Sequence, residues 1–138
     1  MSVKCPVCDI ELNESLASDS VRDATFFSCD RCGDFVLSNI LIAKLPSRFK
    51  EYKDSRVKIS HALRTMQRIN EKVELSESMI DAILEKPLPR PQEQADLLIR
   101  WLAEHSDSPG DQVCIEPKPH LSIIGAKTKK GFFWFFLI

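Results

Sequence analysis

The chain has 138 residues, of which 43% are hydrophobic, and this size suits one compact unit with a modest core of its own. Its formal net charge of −1 conceals a segregated pattern, because acidic and basic blocks alternate along the chain. No apolar run reaches the roughly 20 residues of a membrane span, and no signal-peptide pattern precedes the first cysteine, so we expect a soluble, cytoplasmic protein.

Four of the five cysteines form two CxxC pairs close to the N-terminus. Cys5 and Cys8 form the first pair, and Cys29 and Cys32 form the second, with twenty residues between the pairs. This spacing falls in the range of four-cysteine zinc sites, in which two turns aim four thiolates at one tetrahedral ion. The sequence therefore predicts one structural Zn(II) held by Cys5, Cys8, Cys29 and Cys32.

The residues around the second pair fit a zinc ribbon or knuckle. Gly33 follows that pair, and Asp9 stands at the matching place after the first; both residue types tolerate the left-handed conformation of such turns. Residues 25–27, Phe35 and Leu37 are predicted to form short strands beside the metal. Three basic residues against seven acidic ones give residues 1–38 a charge of −4, so the ribbon is expected to be acidic.

Three alternatives to a zinc site remain open. Disulfides would suit an oxidising compartment, but five cysteines leave one without a partner. A lone CxxC resembles a thioredoxin-like redox motif, although such a motif usually opens a helix and does not need a second pair. Iron in a rubredoxin-like site uses a similar ligand spacing, so zinc and iron are not separated by spacing alone.

A basic helix is predicted with Asp54 or Ser55 as its N-cap, because apolar residues from Ile59 to Val73 recur at spacings of three and four. In residues 44–72, nine basic residues against three acidic ones give a local charge of +6. Opposite the apolar face, helical spacing lines up one polar stripe, which consists of Lys53, Arg56, Ser60, Arg64, Gln67 and Arg68. Such a stripe is usually a solvated face, and the functional alternative is that its cations contact nucleic-acid phosphates. The candidate contacts within residues 53–68 are Lys53, Arg56, Arg64 and Arg68.

Two further helices follow. Ser76 is predicted to cap a short helix with Glu77 in its first turn. The two helices on either side of residues 70–75 match a helix-turn-helix only weakly, because this turn is long and lacks glycine. Alternating prolines make residues 86–91 an extended link into a helix from Gln92 to His105. The predicted buried stripe of that helix is Ala95, Leu98, Ile99 and Leu102.

The last quarter of the chain is predicted to contain a short strand at residues 113–115, with Cys114 as inert core. His61, His105 and His120 are predicted to be surface or helix-end side chains, since four thiolates already close the metal shell. Residues 121–126 and 132–138 are intensely apolar. They are expected to enter the core of the domain, to pack against further chain or a partner, or to form a dimer face; a membrane-surface role is a further alternative.

Several segments occur in a recognisable order. They are a CPxC and CxxCG pattern, the helical segment Ile59–Arg64, a proline-rich link, the segment Gln94–Leu102 and the tripeptide Ile124–Ala126. This order resembles the N-terminal region of a group of poorly characterised bacterial proteins, some of which precede effector domains such as TIR in antiviral defence. The resemblance covers almost the whole chain and implies a recognition or regulatory module whose effector lies beyond Ile138.

The sequence thus predicts a mainly helical α+β protein, with a zinc ribbon at residues 1–40 and a helical domain at 41–138 that ends in a short strand or helix. It contains no glycine-rich phosphate loop, no HExxH and no GxSxG, so we expect no catalytic residues. The favoured function is a non-catalytic, zinc-binding recognition or oligomerisation module with a protein partner or self-association through the apolar C-terminal segment. The alternative is a nucleic-acid-binding module that uses the basic helix.

Overall fold

The computed structural model describes residues 3–12, 17–19, 23–67, 73–106 and 117–126. These residues form an α+β fold with more helix than strand, which confirms the predicted class. The strands are β1 (Val3–Lys4), β2 (Glu11–Leu12), β3 (Ala17–Asp19), β4 (Ala24–Cys29), β5 (Gly33–Ser38) and β6 (Val73–Leu75). The helices are α1 (Asn39–Glu51), α2 (Ser55–Gln67), α3 (Glu77–Glu85), α4 (Pro91–Glu104) and α5 (Pro117–Ile124). None of these helices is long and apolar enough to cross a membrane.

The strands build two small sheets, and each carries one cysteine pair. β1 and β2 form an antiparallel hairpin around the first pair. The second sheet has the order β3-β4-β5-β6, and its β4–β5 hairpin holds the second pair at its tip. Phe35 and Leu37 of β5 are fully buried, whereas Asp34, which precedes Phe35 in the strand, is exposed. This alternation is that of a strand, and residues 25–27 of β4 pair with β5, so the predicted strands at 25–27, Phe35 and Leu37 are confirmed.

Helix α1 follows β5 without a loop and was not assigned from the sequence. Its N-cap is Ser38, whose hydroxyl accepts a hydrogen bond from the backbone N–H of Leu41. Leu41 and Leu45, one turn apart, face the core and are buried. Pro46 lies inside the helix, and this residue removes one backbone donor there, which weakens the sequence signal for a helix.

Helix α2 begins at Ser55 as predicted, but the assignment of Val73 to its apolar face is wrong. The helix ends at Gln67, and Val73 belongs to β6, which pairs in parallel with β5. Val73 and Leu75 are buried on either side of the exposed Glu74, which is the period of a strand. A strand therefore separates α2 from α3, so these helices do not form a helix-turn-helix pair.

Helices α3 and α4 begin where the sequence predicts. The hydroxyl of Ser76 accepts a hydrogen bond from Met79 N–H at the start of α3, and Pro91 is the first residue of α4 after the extended link. The buried stripe of α4 differs from the prediction, because Ile99 is 64% exposed. Leu98 is buried as predicted, and Leu97 lies with the predicted Leu102 among the partly buried residues beside it, where α4 packs on α5.

The buried side chains form two clusters. The larger cluster joins cysteines of both pairs to strands β4–β6 and helices α1–α3. The smaller one lies between α4 and α5, and its buried members are Leu98, Leu121, Ile124 and Ala126. The division of the chain at residue 40 stays a prediction. The expected strand at 113–115, Cys114 and the apolar segment 132–138 lie outside the described residues.

Candidate metal centre

Two tight turns place the four cysteines. In the first cysteine turn, residues 5–9, Asp9 N–H donates to the carbonyl of Cys5 at 2.9 Å and Asp9 has a φ of 67°. In the second cysteine turn, residues 29–33, Cys32 N–H lies 3.4 Å from the sulfur of Cys29 and Gly33 has a φ of 84°. The predicted left-handed residues at both turns are confirmed. A Cβ at Gly33 would also collide with the amide of Gln67.

The four sulfurs lie together at one point. All of them fall within 4.8 Å of one another, with 3.9 Å between Cys5 and Cys32 and 3.4 Å between Cys8 and Cys29. Thiolates bound at about 2.3 Å to a tetrahedral ion lie about 3.8 Å apart, so the cluster fits such an ion. Cys5, Cys29 and Cys32 are buried and Cys8 is partly buried. The predicted set of four cysteines therefore forms a candidate metal site.

The geometry also bears on the alternatives to a metal. The four cysteines are free, and the sulfur separations far exceed the roughly 2.05 Å of a disulfide. The first CxxC leads into β2 and the second into β5, so neither opens a helix as a thioredoxin-like motif does. Zinc and iron both suit four thiolates, and the arrangement of donors does not distinguish between them.

Hydrogen bonds among the four thiols shift the pKa values of Cys29 and Cys32 in opposite directions. Hydrogen bonds from Cys32, then from Cys5 and Cys8, lower the pKa of Cys29. Hydrogen bonding to Cys29, then to Cys5 and Cys8, raises the pKa of Cys32, and its burial adds to this. Four thiolates this close repel one another, and a bound divalent cation compensates that charge.

Helix α2 holds both cysteine turns through backbone carbonyls. Arg56 Nη1 donates to the carbonyl of Val7 at 3.0 Å, in the first turn. Arg64 donates through Nε to the carbonyl of Arg31 at 2.9 Å and through Nη2 to that of Asp30 at 2.7 Å. Gln67 Nε2 donates to the carbonyls of Cys32 and Asp34, at 2.8 and 3.1 Å. One polar face of α2 therefore fixes the two turns relative to each other.

This face contains part of the set predicted to bind nucleic acid. Lys53 is exposed, and the guanidinium of Arg56 lies 4.4 Å from the ring centre of Phe49 while it donates to the first turn. Burial lowers the pKa of Arg64, which is directed at the second turn. Arg68 lies outside the described residues. Phosphate binding by this set stays a prediction, and two of its members already have protein acceptors.

Two buried serines connect the second cysteine turn to α5. The hydroxyl of Ser60 lies 3.1 Å from the sulfur of Cys32 and 2.6 Å from the hydroxyl of Ser122, and Arg31 Nε donates to Ser122 at 3.2 Å. Ser60 belongs to the polar stripe predicted on α2, so the sequence indicates its place on that helix face. The sequence gives no indication of a role for Ser122, because it is a single polar residue in an apolar segment.

The histidines lie apart from the sulfurs. His61 Nδ1 is 2.8 Å from the carbonyl of Ser122, and His105 is exposed and stacks on Trp101. The prediction of a surface or helix-end position is wrong for His120, which is buried with its ring edge-on to Trp101 at 4.2 Å between centres. It is buried because α5 packs between α2 and α4.

The chain matches no protein-family model, no curated protein and no solved structure. Its function therefore has to be derived from the metal centre and from the surfaces around it.

Proposed function

We propose that this chain is a non-catalytic, zinc-binding recognition and oligomerisation module, the N-terminal part of a larger bacterial defence-type protein. The observation that carries the proposal is the cluster of four cysteine sulfurs within 4.8 Å, held by donors from α2. Such a centre has a complete protein shell and a rigid support. The link to bacterial defence comes from the resemblance of the sequence.

Zinc is the proposed metal, and its role is structural. Four protein thiolates complete a tetrahedral shell, so no coordination position is left for a water molecule or a substrate. The cysteines also belong to the larger core, together with Phe27, Phe35 and Leu37. Because unfolding of this core would dismantle the site, metal binding contributes directly to the stability of the fold.

The proposed zinc ribbon is supported by the two hairpins. The β1–β2 hairpin surrounds one CxxC pair and the β4–β5 hairpin carries the other, so each ligand pair lies at the end of a short antiparallel unit. The metal joins the two-stranded β1–β2 sheet to the β4–β5 hairpin of the four-stranded sheet. A rigid N-terminal surface results, and this is what a recognition module has to present.

Self-association is assigned to the apolar segment at residues 132–138, which contains four phenylalanines and one tryptophan. A contiguous apolar segment of this kind is typical of a buried contact with a partner or a second copy. In the proposal the zinc centre holds the N-terminal surface in shape, while this segment brings two copies together.

Light scattering on the full chain tests the oligomerisation. We expect the wild-type protein to be a dimer at concentrations of tens of micromolar, and Trp134→Ser with Phe136→Ser to make it a monomer with an unchanged metal content. Ile40→Ser is the matched control, because it removes an isolated exposed apolar side chain of α1. A wild-type protein that stays monomeric at every concentration would remove the oligomerisation role.

The alternative function, nucleic-acid binding, predicts a different result. Phosphate contacts by Lys53 and its neighbours would give an affinity for duplex or single strands that falls steeply as salt rises. Under the proposed function, binding to either is undetectable at low salt. A steep salt dependence that Lys53→Glu abolishes would favour the alternative.

A further inference from the structure

We propose that Ser60 and Ser122 form a hydrogen-bonded outer shell of the metal centre and that this shell couples metal binding at Cys32 to the seating of helix α5. Both serines are fully enclosed, with exposures of 1% for Ser60 and 0% for Ser122. They belong to different helices, α2 and α5, and only Ser60 touches a cysteine sulfur. The inference rests on the proposed zinc centre and adds a role for residues outside its ligands.

The contacts form a closed ring. From the sulfur of Cys32, the ring passes to Ser60 at 3.1 Å, to Ser122 at 2.6 Å and to Arg31 Nε at 3.2 Å. Arg31 is the neighbour of Cys32 in the second cysteine turn, so the ring returns along the backbone to its starting point. A displacement of α5 therefore acts on that turn both through Ser60, which contacts Cys32, and through Arg31.

Metal binding sets the direction of the two hydroxyl hydrogen bonds in this ring, whereas Arg31 can only donate. A metal-bound Cys32 is a thiolate and has no proton, so the hydroxyl of Ser60 must donate to it. The oxygen of Ser60 then accepts from the hydroxyl of Ser122, and the oxygen of Ser122 accepts from Arg31 Nε–H. Each buried hydroxyl has one donor and one acceptor partner. Hydrogen bonds to charged sulfur are stronger than neutral ones, and aligned bonds polarise one another.

Helix α5 is attached through this ring as well as through its packing between α2 and α4. It is one of the shortest helices described, and its apolar contacts belong to the smaller core with α4. Among the other contacts described for this segment, His61 Nδ1 lies 2.8 Å from the carbonyl of Ser122, Gln94 Nε2 donates to the carbonyl of Gly125 at 3.1 Å, and His120 packs edge-on against Trp101. Loss of the metal removes the charge that orients the ring, so α5 is less firmly seated without it.

The coupling has to be reciprocal. If metal binding favours the seated position of α5 by some factor, the seated helix favours metal binding by the same factor. A change at Ser122 should therefore be felt at the metal, although Ser122 contacts no sulfur in the described structure. If Ser122 only stabilised the fold, its substitution would lower the stability of the protein without a specific change at the metal.

The test uses the full chain and compares Ser60→Ala and Ser122→Ala with Ile124→Val. Ile124 is fully buried in α5 and lies outside the ring, so its shortening loosens the same helix without touching a hydrogen bond. The first readout is the rate of zinc transfer to a chromogenic chelator. The second is the sulfur-to-metal charge-transfer band of the Co(II)-substituted protein, which reports on the electron density at the thiolates.

Each serine variant removes two hydrogen bonds of the ring. We expect both variants to release zinc at least about five-fold faster, which is the factor that one hydrogen bond alone implies, and to shift the cobalt band. Ile124→Val should leave the band unchanged. Hydrogen exchange of the zinc-bound Ser60→Ala protein should be faster at residues 117–126, although the substitution lies in α2. If Ser60→Ala does not fold, Ser122→Ala alone decides, because it alters α5 and not the neighbour of the sulfur.

The inference is overturned if Ser122→Ala has the release rate and cobalt band of the wild type, or if Ile124→Val changes both to the same extent. A wild-type protein that takes up neither zinc nor cobalt would overturn the proposed metal centre together with this inference. A protein that binds one metal while the serine variants behave like Ile124→Val would overturn only the coupling.

Discussion

Arg64 is the side chain whose loss tests the clamp between α2 and the second cysteine turn most sharply. It donates to the carbonyl of Arg31 at 2.9 Å and to that of Asp30 at 2.7 Å. These acceptors lie directly between the two cysteines of the second pair, so their positions set the sulfur positions. Arg64→Ala removes both donors and the side-chain stem that packs beside the turn.

The expected loss follows from the two contacts. A hydrogen bond from a charged group stabilises a protein by about 1.5–3 kcal/mol. The bond to Arg31 is partly buried and counts near the low end of that range, whereas water replaces much of the exposed bond to Asp30. Burial lowers the pKa of Arg64, so its removal also recovers some hydration cost. We expect a net loss of about 2 kcal/mol, or about 7 °C in Tm for a domain of this size.

Urea and thermal unfolding at a fixed free-zinc concentration measure this loss, since bound ligand contributes to apparent stability. Arg64→Lys keeps the charge without the planar fork and should lose about half as much. Arg100→Ala, at an exposed position of α4, is the control and should change stability by less than about 0.5 kcal/mol. If Arg64→Ala is no more destabilising than this control, the proposed clamp is refuted.

Three further outcomes follow from the same contacts. Gly33→Ala should cost about 1–2 kcal/mol, because the residue has a φ of 84° and a Cβ would meet Gln67; wild-type urea stability would contradict this. Ile99→Gln should change Tm by less than about 2 °C, since the side chain is 64% exposed. A large drop in Tm would show that Ile99 is buried in the core. Acidification should release the metal, because protons compete for the four thiolates; metal-dependent stability is therefore present at neutral pH and lost as pH falls. A metal content that is constant from pH 8 to pH 4 would argue against thiolate ligands.

Local signals in the sequence sufficed for the cysteine turns and for the starts of α2, α3 and α4. The spacing of the two CxxC pairs, with Asp9 and Gly33 after them, specifies a turn whose geometry depends on few other residues. The caps at Ser76 and Pro91 are equally local, because each depends on the backbone of a single turn. The structure has these features where the sequence places them.

Features that depend on distant partners were misassigned or missed. Val73 fits a helical spacing and also alternates with Leu75, and its pairing with Phe35 in β5 decides between the two. Ile99 fits the helical stripe of α4, but the cluster between α4 and α5 is built on Leu97, Leu98 and Leu102 and leaves Ile99 exposed. The spacing in the sequence locates the stripe of Arg56 and Arg64 on one helix face, yet the carbonyls that accept from it belong to turns more than 30 residues away.

The central claim is a structural zinc ion bound by Cys5, Cys8, Cys29 and Cys32, and metal analysis of freshly purified protein combined with zinc-edge X-ray absorption tests it most directly. We expect about one equivalent of zinc, bound by four sulfurs at about 2.3 Å, and a loss of that metal in Cys29→Ser. Less than half an equivalent of zinc would contradict the zinc assignment, and so would a shell with nitrogen or oxygen in place of sulfur. A red protein that contains iron would show that iron, and not zinc, occupies the same four-thiolate site.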